Sequence, residues 1–382
     1  MNSIKRSWFK EQLAQIIEED IRPEAAAVDE HARFPVQALA ALKRGGLLGL
    51  LVPEPYGGLG GSITEFTYAV EQIARACSST AAVFFFHGQF VRRLEDFGNA
   101  EQQAKYFPRL ADGYLGASSW SELQAGAGKN NLSTTARLQG SRLLINGSKA
   151  FCTSAGEADV YSVLVKFEGE DGPQTSFVLV EKEDLNVSFG QSWNGMGIRG
   201  SSTREIICAE LSLPHDRILS AVGDGHRIME QNKKNAIHPG IIGLGVARAA
   251  LGAFLTEIQE RPQLWGYQNT RMTVSDIATS VDALEALTYL AARSADDRKA
   301  QSAFQAMQAK TLAAQVCVEA ADKLLHLAGA RAYTKGHALE RLCRDAKAIG
   351  LMGPTTEIAK EYIAQILLEE MQNDNRLRPC FI

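Results

Sequence analysis

Between about residues 118 and 215 the hydrophobic pattern of this chain changes its period. The runs "STTARLQGSRLLINGSKAF", "DVYSVLVKFEG", "TSFVLVEKEDL" and "TREIICAELSLP" are strand-length and β-branched, and turn residues separate them. The first reads as two strands joined at "QGSR", and the third opens after Gly172-Pro173. Such a block must close on itself as a sandwich or small barrel, and whatever flanks it must fold separately.

The flanks read as helix. Ala-rich runs such as "PVQALAALKRGGLLGLL" precede the block, interrupted by the glycine-bearing segments "VPEPYGGLGGS" and "FFFHGQF". After it, Leu244, Leu251, Leu255 and Ile258 form one stripe, and Ile277, Val281, Leu284 and Ala291 a second. Leu312, Val316, Ala320, Leu324 and Leu327 form a third, and residues 357–372 make a fourth helix. Four successive amphipathic helices predict a bundle. A chain of 382 residues is also too long for one ordinary core. The predicted fold is mainly α with a central β domain: a helical N-terminal domain (1–117), a β domain (118–225) and a C-terminal four-helix bundle (226–382).

A net charge of −4 disfavours a general nucleic-acid or anionic-membrane surface. No run reads as long and apolar enough to span a bilayer. The amphipathic start "MNSIKRSWFKEQLAQIIEED" lacks the apolar stretch of a secretory signal. Cys77, Cys152, Cys208, Cys317, Cys343 and Cys380 form no CxxC pair, which fits buried thiols in a reducing cytosol and no metal site.

Five segments in order carry a resemblance: "LLGLLVPEPYGGLGGS", "SWSELQAGAG", "INGSKAFCTSAGEADVYSVLV", "GMGIRGSSTREI" and "YTKGHALERLCRDAKA". Together they resemble the acyl-CoA dehydrogenase family of flavoproteins over nearly the whole length. The resemblance implies FAD at the junction of the domains and an acyl thioester substrate on coenzyme A or a carrier protein. It also implies a homodimer or homotetramer. It puts Trp120, Ser121, Phe151 and Thr153 at flavin-lining positions, and Thr355 and Glu357 at cofactor contacts. No GxGxxG in a βαβ context offers a different dinucleotide site.

Other positions depart from the family pattern. Glu257 falls where an arginine usually meets the flavin pyrophosphate, with Arg261 or Arg271 as substitutes. His326 stands for a glutamine, and Ala127-Gly128 for a Ser-Asp pair. The catalytic carboxylate is missing: the flanks "RDAK" and "TTEI" put Gly353 at the usual glutamate, and Asn235 occupies the alternative position on the first bundle helix. Neither accepts a proton near pH 7. His238, three residues after Asn235, and His87 in "FFFHGQF" are the replacement candidates. Glu122 and Glu357 read as structural or cofactor contacts.

The expected function is therefore an FAD-dependent acyl-thioester oxidoreductase with an atypical base, of a type used in secondary metabolism. Two alternatives remain. A reduced-flavin monooxygenase of the same fold needs no glutamate, only a proton donor such as His87 or Ser121. A non-catalytic flavin-binding protein is the other.

Overall fold

The computed structural model describes residues 1, 3–124, 132–169 and 172–373. It divides into two compact units, 1–232 and 233–382.

The first unit begins with helices α1 (Ser3–Ile16), α2 (Ala25–Glu30), α3 (Val36–Arg44), α4 (Ile63–Ala76), α5 (Ser78–Phe97) and α6 (Ala100–Ala111). Reciprocal capping boxes start two of them. Ser62 with Glu65 opens α4, and Asn99 with Gln102 opens α6. "VPEPYGGLGGS" is a turn, as its glycines predict. "FFFHGQF" is not an interruption, because it lies inside α5. A Cβ at Gly88 would stand 2.2 Å from the Phe66 ring. That glycine lets α5 press onto α4, and the ring of Phe66 stacks on Phe84 at 5.6 Å.

The β block is one eight-stranded sheet. Its strands are β1 (Gly116–Ser119), β2 (Thr135–Gln139), β3 (Arg142–Cys152), β4 (Val160–Gly169), β5 (Gly172–Glu181), β6 (Val187–Phe189), β7 (Arg204–Pro214) and β8 (Ile218–Leu219). The order is β6-β7-β3-β2-β4-β5-β8, and β1 pairs in parallel with β4. The predicted β2–β3 hairpin turns at Gly140, whose φ of 60 suits glycine. Strand β1 reads "GASS" and carries no β-branched residue, so its sequence hides it.

His87, on α5, ties these layers together. Its Nε2 donates to the Leu48 carbonyl at 2.8 Å, and its Nδ1 accepts the Gly116 N–H at 3.1 Å. The ring therefore fastens α5 to the Leu47–Gly49 turn and to the first residue of β1.

Helix α7 (Gly225–Lys234) crosses the unit boundary. The second unit contains α8 (Gly240–Glu260), α9 (Gln263–Gly266), α10 (Gln268–Asp296), α11 (Ser302–Ala328), α12 (Ala338–Leu351) and α13 (Thr356–Asn373). Helices α8, α10, α11 and α13 are the four read from periodicity, and α12 adds a fifth long one. In α8 the buried stripe runs through Leu244, Ala247, Phe254 and Glu257, and Leu255 is exposed. Contrary to the sequence reading, α8 is long and apolar enough to cross a membrane by length and composition, with a mean hydropathy of 1.6. Its Ile, Leu, Val and Phe residues raise that value, and the helix packs against α10, α11 and α12.

Replacing His87 by leucine orphans two buried backbone groups at once. Each unsatisfied group costs about 1–3 kcal/mol. Urea unfolding of His87→Leu should show a loss of that order. An unchanged midpoint would mean that the ring carries no such role.

Candidate active site

In the first unit the sheet gathers four of the residues singled out from sequence. Trp120 and Ser121 follow β1, and Phe151 and Thr153 sit at the end of β3. The Ala150 N–H donates to the Ser121 carbonyl at 2.9 Å, which sets the two strand ends side by side. Thr153 is buried, and the Phe151 ring is half-exposed against Trp193, with centroids 5.1 Å apart. The backbone here is strained. Phe151, Ser154, Ile198 and Ser202 all have positive φ, which is rare for such side chains. The two loops bearing them are joined by Ser154 N–H donating to the Ser201 carbonyl at 2.9 Å. Trp120 is partly exposed, and its indole packs edge-on against Phe177, 5.3 Å between centroids.

Glu122 holds this corner together. It pairs with Lys149 at 2.5 Å and accepts from the Ser133 N–H at 2.6 Å, the Ser133 hydroxyl at 2.7 Å and the Thr134 N–H at 3.0 Å. Burial would raise its pKa, but the Lys149 bond and the Ser133 and Thr134 donors outweigh burial and hold it at about 2. Sequence reasoning named Glu122 but missed Lys149, Ser133 and Thr134. Ala127-Gly128 lie outside the described residues.

Some buried polar atoms here have no partner, namely Trp120 Nε1, Ser119 Oγ and Arg93 Nε. Hydroxyls at Ser121 and Thr153 and an accessible aromatic face at Phe151 fit a flat heteroaromatic ring with polar edges.

The second unit carries the other candidates. Gly353 lies in the turn between α12 and α13, and a Cβ there would meet nothing within 4 Å. The flanks of that turn are pinned by Lys310 of α11. Its Nζ donates to the Gly350 carbonyl at 3.2 Å and to Thr356 Oγ1 at 3.1 Å. Lys310 is buried, and burial pulls its pKa down to about 8. The Thr355 carbonyl accepts the Ala359 N–H at 2.9 Å at the start of α13, its hydroxyl accepts the Ile358 N–H at 3.5 Å, and Glu357 is exposed.

Neither candidate histidine is placed to take a proton. His87 spends both nitrogens on backbone, and burial lowers its pKa to about 4. His238 is buried with both nitrogens unpartnered. Burial, and then the charge on Lys310, lower its pKa to about 3. Such an imidazole is neutral at pH 7 and a very weak base.

Glu257 does not act alone either. It accepts from His337 Nε2 at 2.8 Å and pairs with Arg261 at 2.5 Å, while Arg261 also donates to the Ala328 carbonyl at 2.9 Å. Arg261 is thus occupied. Arg271 is exposed and donates to the carbonyls of Trp265 at 2.7 Å and Gly266 at 2.9 Å. His326 is exposed at the end of α11. A ring site is better defined than a pyrophosphate site. Among the described residues no cluster of His, Cys, Asp or Glu could hold a metal ion.

Comparison with known proteins decides the family. Residues 5–114, 117–210 and 223–368 match the N-terminal, middle and C-terminal domains of acyl-CoA dehydrogenase. An acyl-CoA dehydrogenase of Bacillus subtilis is 31% identical over 372 residues, covering 94% of this chain and 97% of that protein. The chain belongs to the acyl-CoA dehydrogenase family. Butyryl-CoA dehydrogenase of Megasphaera elsdenii superposes with a TM-score of 0.91 at 24% identity, covering 96% of this chain and 99% of that one. A prolyl acyl carrier protein oxidase superposes at 0.87 and 22% identity, covering 96% and 99%. Both share the order of helical domain, β domain and helical domain. The chain is an acyl-CoA dehydrogenase-like oxidoreductase, of a family that in general uses FAD.

The Glu122 pair sets a pH dependence. A carboxyl held at about 2 in the folded chain, against 4.5 ordinarily, adds stability above pH 4.5 that is lost as pH falls toward 2. Urea midpoints of wild type and Glu122→Gln should therefore differ most at neutral pH and converge on acidification. Lys149→Met leaves the buried carboxylate without its counter-charge and should cost about 3–5 kcal/mol at pH 7. A constant gap across this range would contradict the assignment.

Proposed function

We propose that this chain oxidises acyl thioesters with FAD, and that it does so without an enzymatic carboxylate at residue 353. The observation that carries the reading is the open turn at Gly353, held in place by Lys310 at Gly350 and Thr356. The turn is built and braced, yet no proton acceptor projects from residue 353. Bound FAD supplies a hydride acceptor. The chain's own residues orient and brace: Ser121 and Thr153 offer hydroxyls at the strand ends, the Phe151 face offers an aromatic surface, and Glu122–Lys149 fixes the corner.

With His87 and His238 both neutral and engaged or buried, the α-proton must leave by another route. A substrate with an acidified α-carbon, or one that loses a group in place of the proton, meets that requirement. The thioester comes on coenzyme A, as named for the Bacillus subtilis relative, or on a carrier protein, as named for the prolyl oxidase.

We also infer self-association through the second unit. Leu351, Leu367, Leu368 and Met371 are exposed along α12 and α13, and an apolar face of this kind is ordinarily covered. Light scattering at micromolar concentration should give a dimer or tetramer, and a strictly monomeric mass would refute it.

The functional test is anaerobic single-turnover flavin reduction. Purified chain should bind one FAD and be reduced slowly by plain saturated acyl-CoA. Gly353→Glu places a carboxylate, ionised at pH 7, in open space at the turn. General-base catalysis is worth about 10²–10⁴-fold, so a gain of at least 10²-fold is expected on a substrate in productive pose. Rapid reduction of the wild type would mean that a base acts elsewhere. Hydroxylated product from reduced flavin and oxygen, with inertness to every thioester, would replace this reading by a monooxygenase.

A further inference from the structure

Arg93 lies on α5 and is 1% exposed, yet no carboxylate bonds it. Its Nη1 donates to Ser118 Oγ at 2.6 Å and to Ser162 Oγ, and its Nη2 donates to Gln89 Oε1 at 3.3 Å. The guanidinium sits 4.9 Å over the Trp120 ring and 4.9 Å over the Phe177 ring. The acid that acts on it from a distance, Asp96, opposes part of its field and is itself paired with Arg92 at 3.2 Å.

Packing alone gives no reason for a cation here. Ser118 and Ser162 stand 3.0 Å apart, within mutual hydrogen-bond distance, so they do not need the arginine. An apolar side chain would fill the space between Trp120 and Phe177 without the cost of desolvating a charge. Arg93 Nε, Trp120 Nε1 and Ser119 Oγ are all left unpartnered around the same strand. Strand alternation turns Ser118 and Trp120 toward Arg93, and Ser119 and Ser121 away from it.

We propose that Arg93 sets the redox poise of a flavin bound at the end of β1, its buried charge, hydrogen-bonded to neutral oxygens, favouring the reduced, anionic ring over the oxidised, neutral one. The inference rests on the flavin reading above. Reduction of the ring takes up two electrons and one proton and leaves one negative charge at neutral pH. A fixed cation held by neutral oxygens stabilises that charge, because among the described residues no carboxylate bonds it and Asp96 is shared with Arg92. Arg93 is then a positioning and tuning group. Burial lowers its pKa to about 9, which still leaves it charged at pH 7.

The test measures affinities of the full chain for oxidised FAD and for FAD reduced with dithionite, and takes their ratio. Wild type should bind the reduced form at least about tenfold more tightly, which is about 30 mV on a two-electron couple. Arg93→Met and Arg93→Gln should each cut that preference about tenfold or more, and Arg93→Lys at pH 6 should restore it to within about threefold. Folded variants that bind FAD with a wild-type ratio overturn the inference and leave the flavin reading standing. A wild type that binds no FAD in either state overturns both. Should Arg93→Met fail to fold, the wild-type ratio still decides, since equal or weaker binding of reduced FAD refutes the idea.

Discussion

The buried pair Glu122–Lys149 is the constraint on which the rest of the strand-end corner depends. One carboxylate takes a charge-assisted bond at 2.5 Å and the N–H groups of Ser133 and Thr134. It thereby fastens the segment leaving β1 to β3 and to the chain entering β2. Two ions out of water are stable only when their remaining bonding capacity is filled, and here it is filled on the acidic side. With that corner fixed, the Ala150–Ser121 bond can hold the strand ends in register. The positive φ values at Phe151 and Ser154 can persist as well, because strain of that kind survives only where the surroundings over-determine it.

Much of this was legible in the sequence, for identifiable reasons. Strands β4, β5 and β7 carry β-branched residues, β2 and β3 flank the turn at "QGSR", and the long helices α8, α10, α11 and α13 carry apolar stripes, so pattern alone finds them. Strand β1 was not legible, because "GASS" is strand only through its parallel pairing with β4. The glycine in "FFFHGQF" looked like a break and is a contact, since the reason for it is the Phe66 ring on another helix. The residues Trp120, Ser121, Phe151 and Thr153 were found by resemblance. The direction of the Trp120 indole was not, because it is set by Arg93 and Phe177, distant in sequence.

The histidines show where residue type misleads. An imidazole in a sequence suggests a proton carrier because its free pKa is near neutrality. Burial without a counter-charge removes that property. His87 becomes a neutral strut with both nitrogens bonded, and His238 a neutral ring beside a lysine. Nothing in "FFFHGQF" or "NAIHPG" announces either outcome, since desolvation is a property of the folded surroundings.

Among the described residues, each unit buries a cation whose hydrogen bonds go to neutral oxygens. Arg93 is held by serine hydroxyls and a glutamine carbonyl, and Lys310 by a backbone carbonyl and a threonine hydroxyl. A cation paired with a carboxylate presents little net field to anything beyond the pair. A cation solvated by dipoles keeps its charge and loses only mobility. Residue 353 is a glycine, so no side chain brings a charge into the turn that Lys310 braces. The positive charge there acts on whatever approaches the turn, and it favours a group that carries or develops negative charge.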